Sequence, residues 1–243
     1  MRRQWETTDR IKRDLEDPLQ GAMDGLFIRQ EAEAIRRLRT MRRTVEPVLT
    51  LDTLFSVAEW LLETEVLMRP YLLDAILSGW RTGRARLDLV AFDITSSDPA
   101  VIEALEALNI KGKGITRTSA ERIAQIVQEA LEKGLGVDEV ERRLRDEFDS
   151  WRAGRSHTIA VTSVTTGFEA GQYAAFRRAG IRATRWLSER DKRVRPTHDV
   201  ADGQEQPLNS PFTVGRALLL HPGDPTGPAN EVIGCRCTLL PLT

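Results

Sequence analysis

Cysteine, histidine and tyrosine are all scarce in this chain of 243 residues, which holds two, three and two of them. The two cysteines, Cys235 and Cys237, flank a single residue. A disulfide closing so small a ring is strained, so the cross-linked framework of a small secreted domain is excluded. The thiols read as free groups or as ligands. Charge of one sign is also missing: 35 Lys and Arg stand against 36 Asp and Glu, which excludes a globally basic nucleic-acid binder and leaves only local patches. No stretch approaches eighteen uninterrupted apolar residues, and Met-Arg-Arg-Gln-Trp-Glu lacks the apolar run of a signal peptide. The expectation is a soluble protein made in a reducing compartment. What is present is ordinary globular material, 41% hydrophobic and 29% charged, in a chain long enough to bury a core.

The first 154 residues read as one helix after another. Residues 26–45 are rich in Glu, Ala, Arg and Leu, and Pro47 stops them. Leu54, Val57, Leu61, Leu62 and Val66 recur at helical spacing behind Asp52 as a cap. Asp98-Pro99 pairs a cap with a first-turn proline. Thr118 opens a further helix that ends at Gly134, and Asp138 starts the one carrying Val140, Leu144 and Phe148. Between them Lys111-Gly112-Lys113-Gly114 reads as a flexible joint.

Beyond Arg155 the pattern changes. Residues 158–179 form a long helix rich in small side chains and closed by Gly180, and 181–188, 204–208 and 237–240 read as short strands. The fold class is therefore α+β: a mainly helical N-terminal part, then a small C-terminal domain with a long helix and a few short antiparallel strands. The expected division is 1–110, a helical docking region, 111–154, a helical connector, and 155–243, the α+β domain.

The closing segment holds both cysteines and two of the three histidines. In order it shows Gly180, Arg185-Trp186-Leu187, Asp191-x-Arg193-Val194-Arg195-Pro196-x-His198, Asp202-Gly203, Pro211-Phe212, Pro222-Gly223-Asp224-Pro225 and Cys235-Arg236-Cys237-Thr238. That series resembles the phage head morphogenesis family, the Mu F-like minor capsid domain of tailed phages and prophages. The resemblance implies a structural protein and not an enzyme. It implies a virion component inside the head at the portal vertex, made in the host cytoplasm and present in few copies. Its implied partners are the portal protein, the major capsid protein and packaged double-stranded DNA, with no membrane. Many members carry Cys-Pro-x-Cys where this chain has Arg195-Pro196-Thr197-His198, and Arg-Thr-Glu where it has Val161-Thr162-Ser163. The first departure excludes a four-cysteine zinc site.

Three sets of residues carry possible chemistry. Cys235, Cys237, His198 and His221 offer the thiolates and imidazoles that zinc prefers; the alternative is two buried core thiols and no cofactor. Asp191, Arg195 and His198 offer a carboxylate, a guanidinium and an imidazole, the parts of a ribonuclease-like, phosphoester-processing site; the alternative is an ion-pair network fixing a loop. Arg36, Arg37, Arg39, Arg42 and Arg43 form a basic run that would meet DNA phosphates, or else a solvated face with pairs such as Glu33–Arg37. No aromatic side chain is interleaved with that run to stack on bases. The stretch His221-Pro-Gly-Asp-Pro-Thr-Gly-Pro228 reads as a surface loop stiffened by its prolines.

Overall fold

The structure, a computed structural model, describes residues 2–41, 49–87, 94–189 and 191–242. Arg42 and Arg43 lie outside the described residues. The chain divides into two compact units, each assembled from segments distant in sequence. The first gathers Met1–Leu19, Arg69–Leu108 and Thr158–Thr243, and the second Gln20–Met68 and Asn109–His157.

The helices are longer than local signals alone indicate. Helix α1 is Arg2–Met41, α2 Leu51–Leu54, α3 Val57–Ala85, α4 Pro99–Glu132 and α5 Val137–Ser150. The expected joint at Lys111–Gly114 is helical: α4 passes through it unbroken. A helical glycine costs about 1 kcal/mol, and the buried faces on either side of these two outweigh that. Val101, Leu105 and Leu108 precede them, while Ile123, Ile126, Val127 and Ala130 follow. Pro18 and Pro70 lie inside α1 and α3, and the cap of α2 is Thr50 rather than Asp52, through a reciprocal bond with Thr53. Nor does Arg155 end a helix. A π-helical turn, Trp151–Arg155, joins α5 to α6, Ser156–Arg178.

Within the second unit that turn is held from the side. The Arg155 guanidinium lies 5.3 Å from the Phe27 ring and 4.8 Å from the Trp151 ring. It donates to Ser119 Oγ at 2.9 Å and to the Ile115 carbonyl at 2.7 Å. Burial draws its pKa down to about 10. Val140, Leu144 and Phe148, spaced four apart, form the buried face of α5.

Within the first unit, glycine decides how α3 meets α6. A Cβ on Gly79 would lie 1.9 Å from the Phe168 carbonyl oxygen, and one on Gly171 would lie 2.0 Å from that of Ile76. The two backbones thus touch where side chains are absent, a close crossing that no larger residue permits. Strand β1, Ala183–Leu187, pairs antiparallel with β2, Glu205–Pro207, on one side and with β5, Thr238–Leu242, on the other. Strands β3, Phe212–Val214, and β4, Ala217–Leu219, form a separate hairpin across Gly215. The three strands legible from pattern are present, and the hairpin adds two too short to carry an alternation signal. Phe176, Trp186, Phe212 and Leu239 gather in one core cluster with Cys235 and Cys237.

An ion pair lies beneath this core. Lys12 Nζ, 2% exposed, is 2.8 Å from Glu169 Oε1, which is fully buried. Lys12 also donates to the Cys237 carbonyl at 2.9 Å, and Glu169 accepts the Leu239 N–H at 3.0 Å. The start of α1 and the middle of α6 are thereby tied to the backbone entering β5.

Candidate functional site

Two short helices and one turn build the site. Pro196 supplies the fixed φ at the first position of α7, Pro196–Ala201, which places His198 in its first turn. The second helix, α8, Ala229–Val232, carries Glu231, and Gly234 follows at φ 67, a left-handed value that turns the chain inward to Cys235. Cys235 and Cys237 both point into the core, while Arg236 between them faces Glu189 and Asp191 on the outside. That alternation is what an extended segment imposes on residues two apart.

The inward side chains converge with His198. Its Nδ1 lies 3.3 Å from Cys237 Sγ and 3.7 Å from Cys235 Sγ. The ligating atoms of all three residues lie within 4.8 Å of one another, and all three residues are buried. On the far edge of the ring, Nε2 is 3.2 Å from Glu231 Oε2, at ion-pair distance but off the line of a hydrogen bond. Thr197 Oγ1 donates to the same carboxylate oxygen at 2.8 Å, and Asn230 Nδ2 to the other at 2.9 Å. The Trp186 ring stands edge-on to His198 at 5.9 Å, and its indole N–H is buried without a hydrogen-bond partner.

The electrostatics divide the two thiols. A hydrogen bond from Cys237, reinforced by His198, holds Cys235 well below the ordinary thiol range, whereas the same contact with Cys235, and burial, push Cys237 up. Burial alone would lower the His198 pKa, but the neighbouring Cys235 sulfur outweighs it and the net shift is upward.

His221 lies apart from this cluster. Its Nδ1 faces the Pro222 carbonyl at 3.0 Å and its ring packs against Tyr173 at 5.6 Å. Residues 221–224 of its loop are buried, not on the surface as pattern suggests. Asp224 accepts the N–H groups of Leu220 and Thr226, and Gly223 packs against Thr166 of α6. Four residues earlier on α6, Thr162 Oγ1 accepts the Gly234 N–H at 2.9 Å. Two threonines, one helical turn apart, thus anchor the two loops that frame the site.

Asp191 and Arg195 are drawn elsewhere. Asp191 contacts Arg193 at 3.1 Å and Arg236 at 3.5 Å; burial opposes its charge, but hydrogen bonds from Glu189 and Arg193 bring it to about 2. Burial, with the Asp191 contact, pushes Glu189 up to about 7. Arg195 donates to the Ile233 carbonyl. A general base must reach its substrate, and His198 is 2% exposed. In the second unit Arg36 and Arg37 both bond Glu33, Arg37 also reaches Glu59, and Arg39 holds Glu141 at 2.6 Å. Sequence reading missed Glu231 and Lys12. A glutamate in a four-residue helix and a lysine in a charged helix carry no local sign of burial.

Residues 121–240 match the model of a family described as Phage Mu protein F like protein. No curated protein and no solved structure matches the chain. Residues 121–240 thus carry a Mu F-like domain, which supports a place for the chain among phage head morphogenesis proteins.

Proposed function

We propose, on the premise of that domain, that the chain is a minor head protein of a tailed phage or prophage-like particle, seated inside the head at the portal vertex. The family match over residues 121–240 carries this reading. The architecture is compatible with it: the polar groups of the C-terminal segment serve as internal ties between α6, α7, α8 and β5. In this reading the helical N-terminal part docks on the portal protein. Leu62 and Val66, one turn apart on α3, are 64% and 65% exposed and offer apolar contact for that docking. Contact with packaged DNA is a secondary element, because Arg36, Arg37 and Arg39 already spend their charge on glutamates of the same unit.

The test is co-expression with the portal protein of the same particle. The reading expects the two to co-purify, and expects Leu62→Asp/Val66→Asp to weaken the complex while leaving the circular dichroism of the free chain unchanged. A folded chain that neither joins the portal nor enters proheads refutes it.

A further inference from the structure

We propose that His198, Cys235 and Cys237 bind one zinc ion, with His198 ligating through Nδ1 and Glu231 accepting the proton on Nε2. Four observations carry this, and they are independent of the role assigned to the particle.

The first is spacing. Zinc–sulfur bonds of about 2.3 Å and zinc–nitrogen bonds of about 2.0 Å, set at tetrahedral angles, separate sulfur from nitrogen by roughly 3.5 Å. The two Nδ1–sulfur distances, 3.3 and 3.7 Å, bracket that value. The second is the identity of the donors. Two thiols and an imidazole are the set that zinc selects over the hard cations, and the left-handed Gly234 with the inward turn of both cysteines brings them to one point.

The third is Glu231. A histidine bound to zinc through one ring nitrogen almost always gives the N–H on the other to a carboxylate or carbonyl, which fixes its tautomer. Glu231, itself 5% exposed, stands at that position, 3.2 Å from Nε2. Two inert core thiols would need no such partner. A buried imidazole and a buried carboxylate aimed at them would only add desolvation cost. The fourth is Trp186, whose indole N–H is buried beside the cluster and makes no hydrogen bond. A zinc ion turns the sulfurs into charged thiolates, and a thiolate draws nearby N–H donors that a thiol does not.

In the bound state both sulfurs are thiolates and the imidazole is neutral with its one proton on Nε2, so the metal displaces to solvent whatever further protons the three groups share. Three protein ligands leave one tetrahedral position for water. The ion would add a link between α7 and the segment between α8 and β5, so the folded C-terminal segment would be stabilised by zinc.

The full chain, purified without chelator, tests this by metal analysis and by cobalt substitution. Expected are one zinc per chain and, after exchange, a cobalt spectrum with thiolate charge-transfer bands in the near ultraviolet and intense tetrahedral visible bands. Cys235→Ser and Cys237→Ser should each abolish the charge-transfer signature. Should those variants fail to fold, Glu231→Gln, which leaves all three ligands in place, should weaken zinc affinity by roughly 10–100-fold. His198→Cys should still bind, with a stronger charge-transfer band from the third sulfur. A reduced, folded wild-type chain that carries no zinc and gives no thiolate–cobalt band overturns the proposal. So does stoichiometric zinc whose affinity is unchanged in Cys235→Ser and Glu231→Gln.

Discussion

Replacing Gly79 or Gly171 by alanine should weaken the first unit, although alanine is the better helix former. A Cβ at either position would sit 1.9 or 2.0 Å from a backbone carbonyl oxygen of the opposing helix. Carbon–oxygen contacts in proteins settle at about 3.3 Å or more, so α3 and α6 must part by more than an ångström locally. A carbonyl on a helix cannot rotate aside as a side-chain tip can. Overpacking of this kind costs about 1–3 kcal/mol and occasionally more, and the upper end applies where backbone must move. Alanine returns about 1 kcal/mol of helix propensity. The net is a loss of about 2 kcal/mol, which for a chain of this length lowers the midpoint by about 4–8 °C. Gly21, in α1, provides the control. Nothing lies within 4 Å of its Cβ position, so Gly21→Ala should stabilise by about 0.5–1 kcal/mol. Thermal and urea unfolding followed by circular dichroism reads all three variants. Midpoints for Gly79→Ala and Gly171→Ala at or above wild type would refute the close crossing of α3 and α6.

Two further outcomes follow from buried and exposed charge. Lys12→Met leaves Glu169 charged in a site with no solvent, and should destabilise by about 3–5 kcal/mol; Lys12→Met with Glu169→Leu should recover much of that loss, measured by urea denaturation. Glu141 is held at about 2, against its ordinary 4.5, first by the hydrogen bond from Arg39 and then by that from Arg145. The stability it contributes is therefore complete above about pH 4.5 and lost as pH falls through about 2. Arg39→Gln should move its carboxyl titration upward by NMR, and an unmoved titration would show that this exposed pair does not persist in solution.

Much of the architecture was legible from pattern. Period-four burial on α5, the first-turn proline at Pro99, the strand at 183–187 and the stop at Gly180 are consequences of local chemistry, and each stands where local chemistry puts it. The family resemblance was legible too, because it lies in the order of uncommon residues along the chain. Local signals failed where neighbours in space outweigh them. The Lys111–Gly114 segment has the composition of a joint, yet burial of the flanking faces keeps it helical. At Arg155 the change of pattern is not a break in the helix: two aromatic rings and two hydrogen bonds hold it within a π turn, and the compact units divide a few residues on, between His157 and Thr158.

The cluster around His198 shows the same division. Sequence alone established that this chain has two thiols and few histidines, that one residue separates the thiols, and that an extended segment would point both the same way. It offered His198 and His221 together as partners of the thiols, because nothing local to either histidine says which side chains it meets. Tertiary structure decided this: α7 carries His198 to the sulfurs, while the loop of His221 folds against Tyr173 and α6. It also supplied Glu231, 33 residues beyond His198, whose carboxylate reaches the imidazole only because α8 packs against α7. Residue types and their spacing are local properties of a chain, whereas ligand sets are made by contacts between segments that the chain itself keeps apart.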